Sequence, residues 1–481
     1  MNIYLAAENR LLKICRNAYF FLDLEGTSST KISYHAILDC TEGEYMMNQQ
    51  YKKSRLSRRS FIKGTAGLGV LAAAGYFLPQ TSFFRSAKNS AQALTGDLQA
   101  MYLRQLITAN PARDRRIMWQ ADTQLEAPGV EYRAKNSTDS VSVIAEKAFF
   151  TDDSTENYQY DALLTGLTPG SEYEYRITSK QGAGDWHPLS TPKEGAAPYK
   201  MLIFPDSQSS DYSDWEKVAQ GAWQRNPDAC AFINMGDIVD NGEDRTQWHA
   251  WFNAVNGMRE NIPFIPLMGN HETYNKDWKV RLPEAYLNYF NTPKNNSHDF
   301  ERYYYSFDYG DVHFIVLNSQ WDEINDFKQG LMEEQIPWLR EDVQKSKAKW
   351  KILLVHKDVL QYRIHGRPER KEGLSDLGQT FMPICDELGI DIVFTAHLHT
   401  YRNRGHLYNL TPSDKGPLYI LTGVAGNVRY PGLWIDHAYD KTVAPQPETD
   451  NYLTLEVTSD KLTVACFLPD GQEIDRVSVS K

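Results

Sequence analysis

Five places in this chain set oxygen and imidazole side chains directly behind an apolar run. They are Asp206-Ser207-Gln208, Gly236-Asp237-Ile238-Val239-Asp240, Gly269-Asn270-His271-Glu272, Val355-His356 and Ala396-His397-Leu398-His399. Hard oxygen donors mixed with imidazole, and no cysteine among them, suit Fe, Mn or Zn and make a structural zinc site a poor match. Singly such residues are ordinary: a lone Gly-Asp is usually a turn, and a lone His behind a strand is more often a hydrogen-bonded core residue. His397 and His399 stand two apart, so on a strand both face the same side, which favours joint ligation. The runs that precede the five places, residues 201–204, 231–235, 264–268, 351–355 and 392–395, read as buried parallel strands. Ligand sites of open α/β sheets lie at the carboxyl ends of the strands, so groups scattered from Asp206 to His399 are expected to meet in one cleft. Two metal ions fit that ligand set.

In this order the segments resemble the calcineurin-like metallophosphoesterases, and in detail they are most similar to the purple acid phosphatase branch, from about residue 98 to the C-terminus. The resemblance implies an α/β four-layer αββα sandwich at 198–481 and two divalent or trivalent metal ions, Fe, Mn or Zn. It implies that Asp237 bridges them, that Asp206 and His399 complete the first, and that Asn270, His356 and His397 complete the second. The paired ions would supply a hydroxide nucleophile, and His271 would be the catalytic proton donor to the leaving oxygen or a contact to the phosphoryl group. Two positions depart from the family. Most relatives have Asp-x-His in the first motif, where this chain has Gln208, and the purple enzymes have a Tyr in the second, where it has Asp240. Gln208 through its amide oxygen, or Asp240 in the Tyr position, is therefore the candidate extra ligand of the first metal, and the protein is expected not to be purple.

The remaining sequence must position these groups. At 481 residues the chain is long enough for two cores. A formal net charge of −11 argues against a nucleic-acid-binding surface; the positive charge for a phosphate ester substrate would come from the metals. Residues 116–120, 129–133, 141–148, 159–164 and 173–178 alternate with period two and read as an antiparallel sandwich. Leu164 to Tyr175 resembles the tyrosine corner of fibronectin type III-like domains, so an all-β fibronectin-like domain is expected at 98–195, with Tyr158, Tyr160, Tyr173 and Tyr175 as core and corner residues. Residues 212–224, 244–258 and 333–348 read as helices, with Trp215, Trp248 and Trp251 in the core. Residues 303–307, 312–317 and 417–423 read as strands, and 451–479 as closing strands. His365 and Arg367 read as an exposed loop, and Tyr401 as a cleft residue. Cys230 and Cys385 sit in apolar surroundings and read as buried thiols.

Ser57-Arg58-Arg59-Ser60-Phe61-Ile62-Lys63 looks like a twin-arginine export signal. An apolar stretch at 64–78, too short for a comfortable membrane span, and Ala91-Gln92-Ala93 follow it. Residues 46–93 are thus expected to be a signal peptide read by the twin-arginine machinery, giving a periplasmic, cell-surface or extracellular protein. Residues 1–45 are expected to be a start-site artefact or a disordered extension whose composition allows some helix. The function expected is an exported binuclear phosphoesterase acting on phosphomonoesters, with phosphodiesterase or nucleotide pyrophosphatase as the alternative. A non-catalytic cell-surface binding protein is the second alternative, and retention of all six ligand positions argues against it.

Overall fold

The computed structural model describes residues 99–445 and 449–481, and the backbone of three earlier strands. Those strands, Ala18–Glu25, Lys31–Leu38 and Tyr45–Gln49, form an antiparallel sheet of their own, where the composition allowed helix. Tyr, Phe and Ile are residue types as compatible with strand as with helix. The twin-arginine motif, its apolar stretch and the cleavage site lie outside the described residues.

Residues 99–191 build two antiparallel sheets around a core of Trp119, Tyr160, Tyr175, Ile177 and Leu189. Trp119 and Tyr160 stack at 5.4 Å. The Tyr173 hydroxyl accepts from the Thr168 N–H at 2.9 Å. The run at 141–148 is two strands, Val141–Ile144 and Glu146–Asp152, which belong to different sheets.

Behind this domain lie two sheets face to face. One contains Tyr199–Phe204, Ala229–Asn234 and Phe264–Pro266, paired in parallel, closed by the antiparallel C-terminal strands Tyr452–Val457, Lys461–Phe467 and Glu473–Ser480. The other contains Trp350–Leu354 and Ile392–Thr395 in parallel, flanked by Val312–Val316 and Leu418–Thr422. Met201, Ile203, Ile233 and Ile265 of the first sheet pack against Phe314, Ile352, Phe394 and Ile420 of the second. The outer face of the first sheet is covered by helices Ser213–Arg225 and Arg245–Ala254, whose Trp215, Trp248 and Trp251 are buried as expected. Burying each such ring contributes roughly 2–3 kcal/mol. Helices Leu331–Lys345 and Asp376–Leu388 cover the second sheet. The layers are therefore αββα, and the central parallel strands are buried on both faces, which is why they read as continuous apolar runs.

Two features differ from expectation. The strand Ala100–Leu106 pairs antiparallel with Arg115–Ala121 on one side and meets Phe264–Pro266 in parallel on the other, with Ile107 N–H donating to Phe264 O at 3.1 Å. The β-rich domain and the first of the two facing sheets therefore share one ten-stranded sheet. Tyr401, expected in the cleft, is buried in the core between the sheets and donates its hydroxyl to Asp475 at 2.6 Å. Its strand begins directly after the histidines, so the ring points inward with the core-facing register. His365 is exposed, as its loop reading requires. Cys385 and Cys466 are buried, Cys230 half-buried, and all three are free thiols. Burial pushes the Cys230 thiol up to about 11 and the Cys385 thiol up to about 12.

Candidate metal centre

The six expected ligands leave the carboxyl ends of strands from both sheets. Asp206 follows Tyr199–Phe204, Asp237 follows Ala229–Asn234, Asn270 follows Phe264–Pro266, His356 follows Trp350–Leu354, and His397 and His399 follow Ile392–Thr395. The cleft thus lies between the two sheets, not along one. Asp237, His397 and His399 all have left-handed backbone, with φ of 46°, 75° and 53°. Non-glycine residues hold that conformation only where the surroundings enforce it, and such positions cluster at functional sites. Gly269 is required here, since a Cβ would lie 2.2 Å from Asp237 Oδ1.

Two sets of three donors come together. Asp206, Asp237 and His399 place ligand atoms within 4.8 Å of one another, and so do Asp237, His356 and His397. Asp237 belongs to both. Asn270 joins the second set, its Oδ1 3.2 Å from His356 Nε2. Backbone carbonyls fix two of the imidazoles: His356 Nδ1 donates to Met235 O at 2.9 Å and His399 Nδ1 to Val428 O at 2.6 Å. Each ring therefore presents Nε2 to the cleft, the arrangement found around ligated metals.

The donors fit a cation. With its Nδ1 proton so placed, neutral His399 offers a lone pair at Nε2, yet Asp206 Oδ2 lies 3.1 Å away and finds no hydrogen-bond partner. His397 Nδ1 and Gln208 Oε1 are likewise buried without one. Lone pairs crowded in this way, away from water, are costly unless a positive charge sits among them. Protons are the other source of charge. Burial alone would lower the His356 imidazole, but the neighbouring Asp237 carboxylate outweighs it and raises the ring to about 9. Burial would raise Asp237, but His356 and His271 hold it well below the carboxylate range. Burial and the His356 charge keep His397 neutral. A bound cation would take over the role of the His356 proton, so metal and proton would compete there.

The two departures sit differently. Gln208 is buried with its amide 3.4 Å from His399 Nε2, beside the first donor set. Asp240 lies outside both sets. Its carbonyl accepts from His271 Nδ1 at 2.7 Å, and its Oδ1 is 3.7 Å from the same nitrogen. His271 is thereby oriented with Nε2 4.0 Å from Asp237 Oδ2, while its backbone N–H donates to Asp237 Oδ1 at 2.9 Å.

Glu272 belongs to neither donor set. Its buried carboxylate accepts the backbone N–H groups of Asp237, Ile238, Val239 and Gly269 at 2.7–3.3 Å, tying the second ligand loop to the third. Burial and the nearby Asp237 push it up to about 7. Ser207 is also structural: its hydroxyl accepts from Trp251 Nε1 at 3.0 Å and from Asn234 Nδ2 at 2.8 Å.

Residues 182–401 match the calcineurin-like phosphoesterase family, and residues 103–191 match the purple acid phosphatase N-terminal domain. The chain carries a calcineurin-like phosphoesterase domain behind a purple acid phosphatase N-terminal domain. Its homologues are purple acid phosphatases, hydrolases of the metallophosphoesterase family. Purple acid phosphatase 15 of Arabidopsis thaliana is 30% identical over 42% of this chain and 36% of its own length. Purple acid phosphatase 23 of the same plant is 24% identical over 57% and 64%, and acid phosphatase type 7 of Homo sapiens 25% identical over 56% and 64%. The chain thus spans between about a third and two thirds of the length of these relatives. Among solved structures, the purple acid phosphatase PPD1 from yellow lupin (Lupinus luteus) seeds superposes with a TM-score of 0.67 at 15% identity, covering 94% of this chain and 80% of that one. PhoD superposes with 0.56 at 11%, covering 84% and 94%. At these identities the likeness is one of fold.

Proposed function

We propose that this protein is an exported phosphomonoesterase with a binuclear metal centre. The observation that carries the reading is the shared Asp237: one buried carboxylate completes two separate three-donor sets, and a carboxylate offsets the repulsion between two cations held a few Å apart. Asp206, His399 and Gln208 would hold the first ion, and Asn270, His356 and His397 the second, as Fe, Mn or Zn. Such ions, when bound, polarise the phosphoryl oxygens and activate water for in-line displacement.

The chain's own groups do the rest. Asp240 O fixes the Nδ1 proton of His271 at 2.7 Å, so the ring presents Nε2 to the cleft, where its protonated form can give a proton to the leaving oxygen. Glu272 holds the Asp237 loop still through four backbone bonds, which keeps the bridge in place without reorganisation. No tyrosine stands in the position whose phenolate colours the purple enzymes, so a protein that is not purple is part of the proposal. The twin-arginine motif at Arg58-Arg59 supports export.

The test is turnover of p-nitrophenyl phosphate against bis(p-nitrophenyl) phosphate by the metal-loaded protein. Preference for the monoester supports this reading. Preference for the diester would move the protein to the phosphodiesterases, and hydrolysis of neither, with both metals bound, would make the domain a binding module.

A further inference from the structure

The hairpin between strands Glu146–Asp152 and Thr155–Leu164 belongs to the N-terminal domain, yet its tip reaches the segments that flank His271. Asp153 and Ser154 both have left-handed backbone, with φ of 45° and 55°. That is the geometry of a two-residue type I′ turn, which matches the strand twist and leaves the tip stiff. From it, Asp152 Oδ1 accepts from Arg281 Nη1 at 2.8 Å. Asp153 Oδ1 accepts from Lys276 Nζ at 2.6 Å, and Asp153 Oδ2 from the Arg245 backbone N–H at 3.2 Å.

These three partners lie on the two segments that hold His271. On one side, Arg281 donates its backbone N–H at 2.7 Å to the carbonyl of Thr273, the last residue of the helical turn His271–Thr273. On the other, Arg245 opens the helix behind the loop in which Gly242 N–H donates to His271 O at 2.9 Å and Asp240 O receives His271 Nδ1. The segments are also stitched to each other, with Lys276 N–H donating to Glu243 Oε2 at 2.8 Å. The Asp152–Arg281 pair is shielded, its side chains only 12% and 19% exposed. It therefore counts for more than a surface pair. Domain docking does not need these aspartates, since the shared sheet and the bonds from Arg104 to Tyr289 O and Tyr175 to Glu260 O already provide it.

We propose that Asp152 and Asp153 are positioning residues for His271, so that the N-terminal domain sets the orientation of the proton donor. The inference rests on the phosphomonoesterase reading and on His271 as that donor.

The test uses Asp152→Asn and Asp153→Asn, close in shape to the parent, in the full metal-loaded chain. Phenyl phosphate, a poor leaving group that needs the proton, is compared with 2,4-dinitrophenyl phosphate, which does not. We expect kcat on phenyl phosphate to fall roughly ten- to a hundred-fold with KM within about twofold, and kcat on the dinitrophenyl ester to change little. Arg281→Gln should do the same, and the Asp152→Asn/Arg281→Gln double variant should be no worse than either single one, because both break one link. Should Asp152→Asn not fold, Asp153→Asn and Arg281→Gln carry the same comparison. In metal-free protein, amide exchange at residues 271–276 should rise in each variant. His271→Ala is the control: if it fails to steepen the leaving-group dependence, the donor reading is wrong, and the exchange measurement decides the positioning claim alone. If His271→Ala steepens it while the aspartate variants leave both the dependence and the exchange as in the parent, the proposal is overturned.

Discussion

At the level of single residues, the centre shows why the donor types were legible and their supports were not. Asp206, Asp237, Asn270, His356, His397 and His399 announce themselves by chemistry and by place behind apolar runs. Glu272 does not, because a carboxylate that only accepts backbone N–H groups has the same sequence appearance as one on the surface. The carbonyls of Met235 and Val428, which set the two imidazole tautomers, have no side-chain signature at all. Gln208 is the residue where this chain offers the sharpest test. A neutral amide oxygen is a weaker donor than imidazole, so the first metal should leave before the second during mild chelation. Gln208→His should slow that first loss, read as metal retained against time in chelator. Equal loss from both sites, unaffected by the substitution, would remove Gln208 from the ligand set.

At the level of elements, period and burial were readable wherever the run was unbroken. Helix Ser213–Arg225 and strands Val312–Val316 and Leu418–Thr422 lie within a residue or two of their expected bounds. Helix Asp376–Leu388 was missed because Gly378 and Pro383 interrupt it. The glycine is there for packing, since a Cβ would lie 2.0 Å from Val359 O. The expected division between residues 195 and 198 overlooks the shared sheet, because a pairing as short as Leu106 with Phe264 leaves no local pattern. Between elements, His313 carries a pH dependence. Burial alone would lower its imidazole, but hydrogen bonds to Asp308 at 2.7 Å and Asp342 at 2.9 Å outweigh burial and raise it from 6.5 to about 9. A folded value above the unfolded one stabilises the protein fully below about pH 6.5, and the gain is lost as pH rises through 9. Asp308 is half-exposed and screened, so the contribution is about 2 kcal/mol. Melting temperature measured from pH 6 to 10 should fall across this window, and His313→Gln should flatten that fall.

At the level of the whole molecule, a single ten-stranded sheet runs from the β-rich domain into the αββα layers, and a second sheet completes the cleft, so the candidate metal centre depends on both layers at once. The export proposal belongs to this scale as well. Arg58→Lys with Arg59→Lys should retain the precursor in the cytoplasm, measured by fractionation, because the paired guanidinium groups are the receptor-read address. The central claim is that one buried carboxylate joins two metal sites. Its most direct test is the metal content of the purified protein by elemental analysis, beside that of Asp237→Asn with a melting curve to establish that the variant is folded. The account predicts about two ions per chain in the parent and loss of both in the folded variant, with turnover abolished. One ion in the parent, or two retained in a folded and active Asp237→Asn, would contradict it.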